Sequence, residues 1–310
     1  MKFQRKLYQL ALWILAVAAV CAVILRLYTY WNELEGATGF FLENGTACTV
    51  FNVLGFLVFA LCLLFSANKG GTLLQDAPEQ TEDSSEDKLL SQSEEEFFGE
   101  TEPAAPAKNP LHFFSASVST WQGALSAFAT FLPGFGFLAY SFSFFAAGLT
   151  SDPYNMIFAL LSALSGLYFI LLARQNSVEK SYGRAFFALI PALWCTVRMV
   201  VEYRDLARFV NKSLYVGQFL FIISALLFFL YQAQLFLGEK PFDRPNSYAF
   251  SAIAAAYFGI TCRVPQLIAV FGDKAAVDLV AASSLVIDLA ITLLALIKAR
   301  TVWLTVREYD

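Results

Sequence analysis

The chain has 310 residues, of which 58% are hydrophobic and 15% charged, with a mean hydropathy of +0.58. A soluble domain carries about 25% charged and 45–50% apolar residues, and the 32 Phe of this chain exceed what one globular core hides from water. The balance excludes a soluble enzyme, a nucleic-acid reader and a disulfide-stapled secreted module, and leaves an all-α polytopic membrane protein.

A helix needs roughly 20 apolar residues to cross the hydrocarbon layer. On that basis spans are predicted near 7–25, 47–66, 154–173, 185–201, 214–236, 248–271 and 277–297. The first has the basic start and apolar run of a signal peptide. Its run is longer than a usual signal core, and Val20 before Cys21 spoils a lipoprotein cleavage site, so it reads as an anchor helix. The loop 26–46 that follows carries Tyr28, Tyr30 and Trp31, residues typical of the membrane interface. It also holds an Asn44-Gly45-Thr46 sequon, which matters only in a eukaryotic secretory pathway. Residues 1–66 are thus a two-span amino-terminal hairpin with an outer loop.

Residues 67–110 form the domain boundary. Their Glu, Asp, Ser, Gln and Pro cannot bury enough apolar surface to offset ordering entropy, which predicts a disordered acidic linker. The formal charge of −4 for the whole chain conceals this segment. Residues 71–108 hold eleven acidic residues against two lysines, a local charge of −9, so the remainder carries +5. Leu89-Leu90 and Phe97-Phe98 are apolar pairs about two helical turns apart. They fit a segment that folds onto the basic groove of a cytoplasmic partner protein; a solvated tether is the plainer reading.

The stretch 111–149 is interrupted at Pro133-Gly134 and holds either one span or two. Charge bias separates the alternatives, because Lys and Arg collect in cytoplasmic loops. With one span there, fourteen basic residues fall on the side of the amino terminus and five on the other; with two the counts are ten and nine. The asymmetry favours eight spans with both termini cytoplasmic, and a six-span bundle over 111–310. Residues 111–127 then read as an amphipathic entry helix, with Phe114, Val118, Trp121, Leu125 and Phe128 on one face and Ser115, Ser119, Gln122 and Ser126 on another.

The carboxy-terminal half contains a weak internal echo. Leu161-Ser162-Ala163-Leu164 matches Ile223-Ser224-Ala225-Leu226, and Glu179-Lys180 and Arg184 match Glu239-Lys240 and Arg244. Each unit continues into a span with one late arginine, Arg198 and Arg263, and the offsets drift between 60 and 65, which leaves a parallel helix-pair duplication and chance similarity both open.

Motifs of catalysis are missing from the sequence. His112 is the one histidine, and there is no phosphate-binding loop, HExxH helix or CxxC pair. Nothing calls for a metal or cofactor, and no residue pair has nucleophile–base logic, so an enzyme ranks below the other classes. The polar residues inside the spans carry the functional argument: Arg198, Arg263 and Asp288. A charge at mid-span costs roughly 2.5–3.5 kcal/mol on insertion scales, so such groups face the bundle interior and pair. Ser284, Asp288 and Thr292 share one helix face at four-residue spacing, as do Ala255, Gly259 and Arg263 on the preceding span. An Arg263–Asp288 pair is expected, with Arg198 a competing partner that has Glu202 one turn away. The pair is read either as a structural tie or as a ligand, ion or proton site.

The segments ALIPALWCTVRMVVEY (188–203) and LLFFLYQAQLFLGEK (226–240), with the TGFF turn (38–41), resemble a group of uncharacterised multispan membrane proteins from Gram-positive anaerobic bacteria. The resemblance covers about half the chain and implies a bacterial cytoplasmic membrane without implying an activity. Two function classes remain: a non-enzymatic scaffold, sensor or partner-binding subunit, and a small-solute or ion-coupled transporter with its polar site around Asp288. The partners implied are the lipid bilayer and a cytoplasmic protein held through 71–108, with no nucleic acid.

Overall fold

A computed structural model describes residues 2–32, 46–67, 121–174, 182–206, 213–237, 245–271 and 278–308. These form eight α-helices: α1 (Lys2–Asn32), α2 (Thr46–Ala67), α3 (Trp121–Ala146), α4 (Pro153–Arg174), α5 (Tyr182–Leu206), α6 (Ser213–Leu237), α7 (Pro245–Phe271) and α8 (Leu279–Glu308). Each contains a stretch long and apolar enough to cross a membrane, so the protein is an all-α polytopic membrane protein. Such a fold satisfies every backbone N–H and C=O within its own helix, as a lipid environment without water demands.

Helices α3 to α8 close into a ring. Each packs on the next in sequence, and α8 returns to α3. The α1–α2 hairpin lies outside this ring, with both helices against α7 and α2 also against α6. Helix α7 is therefore surrounded: its apolar window is 67% buried, against 22% for α1. Its sequence suits that position, because Ala252, Ala254, Ala255, Ala256 and Gly259 let neighbouring backbones approach. Between α3 and α4 the same device is reciprocal. A Cβ on Gly134 would stand 3.2 Å from the carbonyl oxygen of Gly166, and one on Gly166 would stand 3.0 Å from that of Gly134.

Consecutive spans alternate in direction, which gives the bundle a near face, where α1, α3, α5 and α7 begin, and a far face. The α3–α4 connection on the far face is built from local chemistry. Gly148 takes the left-handed conformation at φ 68°, and a short 3-10 turn follows at Leu149–Ser151. Asp152 then caps α4 by accepting from the Tyr154 amide at 3.0 Å, while Pro153 occupies the first helical position, where no N–H is needed. Asp278 caps α8 in the same way, through the Ala281 amide at 2.6 Å.

The interior of the ring is filled with aromatic side chains. Phe137 of α3 stacks on Phe169 of α4 and meets Trp194 of α5 edge-on, and Trp194 stacks on Phe158. Phe169 reaches across to Phe229 of α6. Buried hydroxyls here are spent locally: Ser162, Ser165, Ser224 and Thr261 donate to the carbonyl four residues earlier.

Three expectations need correction or limits. The outer loop placed at 26–46 begins later, because α1 continues to Asn32 and Arg26 is buried within it. The Arg26 guanidinium stands 4.8 Å from the ring centre of Phe51 and donates to the Cys48 thiol at 3.5 Å, so α2 supplies an environment that lets the helix extend through a charge. Of the entry helix expected over 111–127, residues 121–127 belong to the start of α3 and 111–120 lie outside the described residues; Pro133 sits inside α3, which is continuous. The linker 67–110, apart from Ala67 at the end of α2, lies outside the described residues, as do the sequon at Asn44 and His112.

Candidate functional site

The three intramembrane charges stand at one depth. Arg198 is eight residues before the end of α5 and Arg263 eight before the end of α7, whereas Asp288 is nine after the start of α8. At 1.5 Å per residue each lies about 12–14 Å below the far face. In the ring α5 stands opposite α8, so a contact between Arg198 and Asp288 crosses the interior.

The structure brings all three together. Arg198 grips Asp288 end-on, Nη1 to Oδ1 and Nη2 to Oδ2, the latter at 2.8 Å. Arg263 reaches the same Oδ2 from α7 through its Nη2. Arg198 is thus not a competitor of Arg263 but its companion on one carboxylate. Arg198 makes two further bonds, from Nε to Glu202 Oε1 at 2.6 Å and from Nη2 to Ser284 Oγ at 3.1 Å. Arg263 Nη1 donates to Gln266 Oε1 at 2.8 Å.

Burial is complete at the centre. Asp288 is 0% exposed, Arg198 1% and Arg263 4%. The two guanidiniums and the carboxylates of Asp288 and Glu202 balance in formal charge, as burial in a low-dielectric medium requires. Beneath the group the Arg198 guanidinium rests 5.1 Å from the centre of the Trp194 ring, whose Nε1 donates to Ser162 Oγ of α4 at 2.7 Å. Beside it, Ser283 of α8 donates to Ser143 of α3 at 2.9 Å.

Of the polar residues singled out from spacing, Ser284 joins the cluster and Thr292 does not. The Thr292 hydroxyl donates to the backbone carbonyl of Asp288 at 2.6 Å and packs on Gly259. Gln266 and Trp194 were not anticipated, although their offsets from Arg263 and Arg198, three and four residues, place them on the same helix faces. The Ser162–Trp194 bond joins two helices, and no offset within the sequence signals it. Leu89, Leu90, Phe97 and Phe98 lie outside the described residues.

This arrangement ties α5, α7 and α8 at one level and leaves no carboxylate oxygen of Asp288 unoccupied. Among the described residues no group of His, Cys, Asp and Glu is arranged to hold a metal ion. Fold and site together define a multi-pass helical membrane protein with an internal ionic tie. Comparison with protein-family models, with curated proteins and with solved structures finds no match.

Proposed function

We propose that this protein is a non-enzymatic subunit of the bacterial cytoplasmic membrane, with both termini cytoplasmic, which works through contacts made by its acidic segment 71–108. The apolar pairs Leu89-Leu90 and Phe97-Phe98 anchor that segment in a basic groove of a cytoplasmic partner. The observation that carries the reading is the state of Asp288. Its carboxylate is buried, shared by two arginines and bound from two other helices, which is the condition of a tie that holds a scaffold rather than of a vacant transport site. The second reading, a small-solute or ion-coupled transporter, draws on the position of that same carboxylate inside a closed ring of six helices.

The two readings separate in one set of measurements. Photo-crosslinkers are placed at Leu89 and Phe97 of the full chain in cells, and the purified chain is tested in liposomes for dissipation of proton and sodium gradients. The scaffold reading expects one partner adduct of fixed mass, lost when all four apolar residues become Ser, and no gradient dissipation. Gradient dissipation abolished by Asp288→Asn in folded protein would establish the transporter instead.

A further inference from the structure

Glu202 differs from the other charges of the ionic tie. Its side chain is 23% exposed, whereas Arg198, Arg263 and Asp288 are buried. Its Oε1 accepts from Arg198 Nε at 2.6 Å, while its Oε2 has no hydrogen-bond partner. An ionised carboxylate has acceptor sites on both oxygens, so Oε2 is the position left for a proton.

The exposure belongs to the end of the bundle rather than to its lipid side. On α5 the exposed residues Leu193, Thr196, Val200 and Tyr203 follow at three- or four-residue spacing and mark the lipid face. Glu202 is two positions from Val200, about 200° round the helix, and one turn beyond the buried Arg198. It lies four residues before the end of α5, about 6 Å below the far face. The other ionisable groups around it come from five helices. Cys195, Arg198 and Arg204 share α5, Tyr140 faces it from α3, and Asp152 pairs with Arg204 at the start of α4. Arg263 stands on α7 and Asp288 on α8. The described side chains in the far half of α6 include no titratable group.

We propose that Glu202 is an acid-operated latch on the ionic tie, worked from the far face. In its charged state two carboxylates balance two guanidiniums, and Arg198 is held on both flanks, by Asp288 across the ring and by Glu202 within α5. A proton from the far-face water adds at Oε2 and makes Glu202 neutral. Arg198 Nε then loses its charged acceptor, and the buried group carries one uncompensated positive charge, which disfavours the closed arrangement. The far end of α5 loosens from α7 and α8. The charged carboxylate is the stabilising form, so the tie is intact at neutral pH and weakens as the pH falls. The latch acts on the tie alone and holds whether or not the segment 71–108 binds a partner.

The test follows the thermal midpoint of the full chain in lipid nanodiscs from about pH 7.5 to about pH 4, the range over which glutamates titrate. At neutral pH Glu202→Gln melts roughly 5 °C below the wild type, the shift of one charge-assisted hydrogen bond in a chain of this size. Acidification removes that gap, because the other carboxylates, those of 71–108 included, titrate alike in both proteins. Asp152→Asn, which alters the half-exposed pair at the same face, keeps the wild-type response. A gap that persists in acid, or a Glu202→Gln variant as stable as the wild type at neutral pH, overturns the proposal. Should the variant fail to fold, hydrogen exchange of the wild-type chain decides. Corrected for intrinsic rate, the amides of 199–206 lose protection several-fold on acidification while those of 139–146 in α3 do not; unchanged protection in 199–206 overturns the latch.

Discussion

Asp288 holds two guanidiniums on one fully buried carboxylate, and the consequences of removing each member differ. Asp288→Asn leaves Arg198 and Arg263 facing each other with Glu202 as the remaining anion, and breaking a buried pair in this way costs about 3–5 kcal/mol. Arg263→Gln costs less, about 1.5–3 kcal/mol, because Arg198 keeps both carboxylate oxygens. The triple variant Arg198→Met, Arg263→Met, Asp288→Leu recovers most of the loss, since apolar side chains of similar volume replace the charges without their desolvation cost. Unfolding in mixed micelles with rising dodecyl sulfate fraction orders the variants; a triple variant less stable than Asp288→Asn would contradict the tie. The Arg204–Asp152 pair at 3.5 Å is the natural control. Both partners are more than a third exposed, so Arg204→Ala changes stability by under about 1 kcal/mol.

At the scale of elements, the α7–α8 contact rests on Gly259. A Cβ there would overlap the Thr292 hydroxyl and stand 2.7 Å from its Cβ. Gly259→Ala therefore destabilises the protein, although alanine is the better helix former by about 1 kcal/mol. Thr292→Ala in the same chain restores part of the loss by removing Oγ1, the nearest atom, and Cγ2, while Cβ stays; the same micelle titration measures it. The small residue at Gly259 and its register with Arg263 were legible in the sequence, because four-residue spacing fixes a helix face whatever it packs on. The helix count was legible for the same kind of reason: a span is a property of local hydropathy. What spacing does not carry is which helix stands opposite which. Arg198 and Asp288 are 90 positions apart, and their meeting follows from ring closure between α8 and α3. The end of α1 depends on tertiary contact likewise, because Arg26 is accommodated by Phe51 and Cys48 of another helix.

At the scale of the whole molecule, the α1–α2 hairpin and the ring of α3 to α8 meet through side chains. The hairpin α1–α2 packs on α7 and α6 from outside the ring. Phe59 lies 6.2 Å from Phe258, ring centre to ring centre, and a Cβ on Gly55 would sit at 3.4 Å from Phe258, an ordinary van der Waals contact. Phe51, Val58 and Cys62 of α2 belong to the same buried cluster as Phe258 and Cys262 of α7. Association in lipid depends on such close packing, because apolar surface alone gains nothing from leaving the hydrocarbon. Continuity of the chain through 67–110 is then not what holds the hairpin in place. Co-expressed fragments 1–70 and 105–310 are expected to co-purify through a tag on either one. Gly55→Leu on the first fragment, or Phe258→Ala on the second, reduces the yield of the pair several-fold by separating or hollowing the same contact. Fragments that never associate, while each inserts in the membrane, would show that the linker itself joins the units.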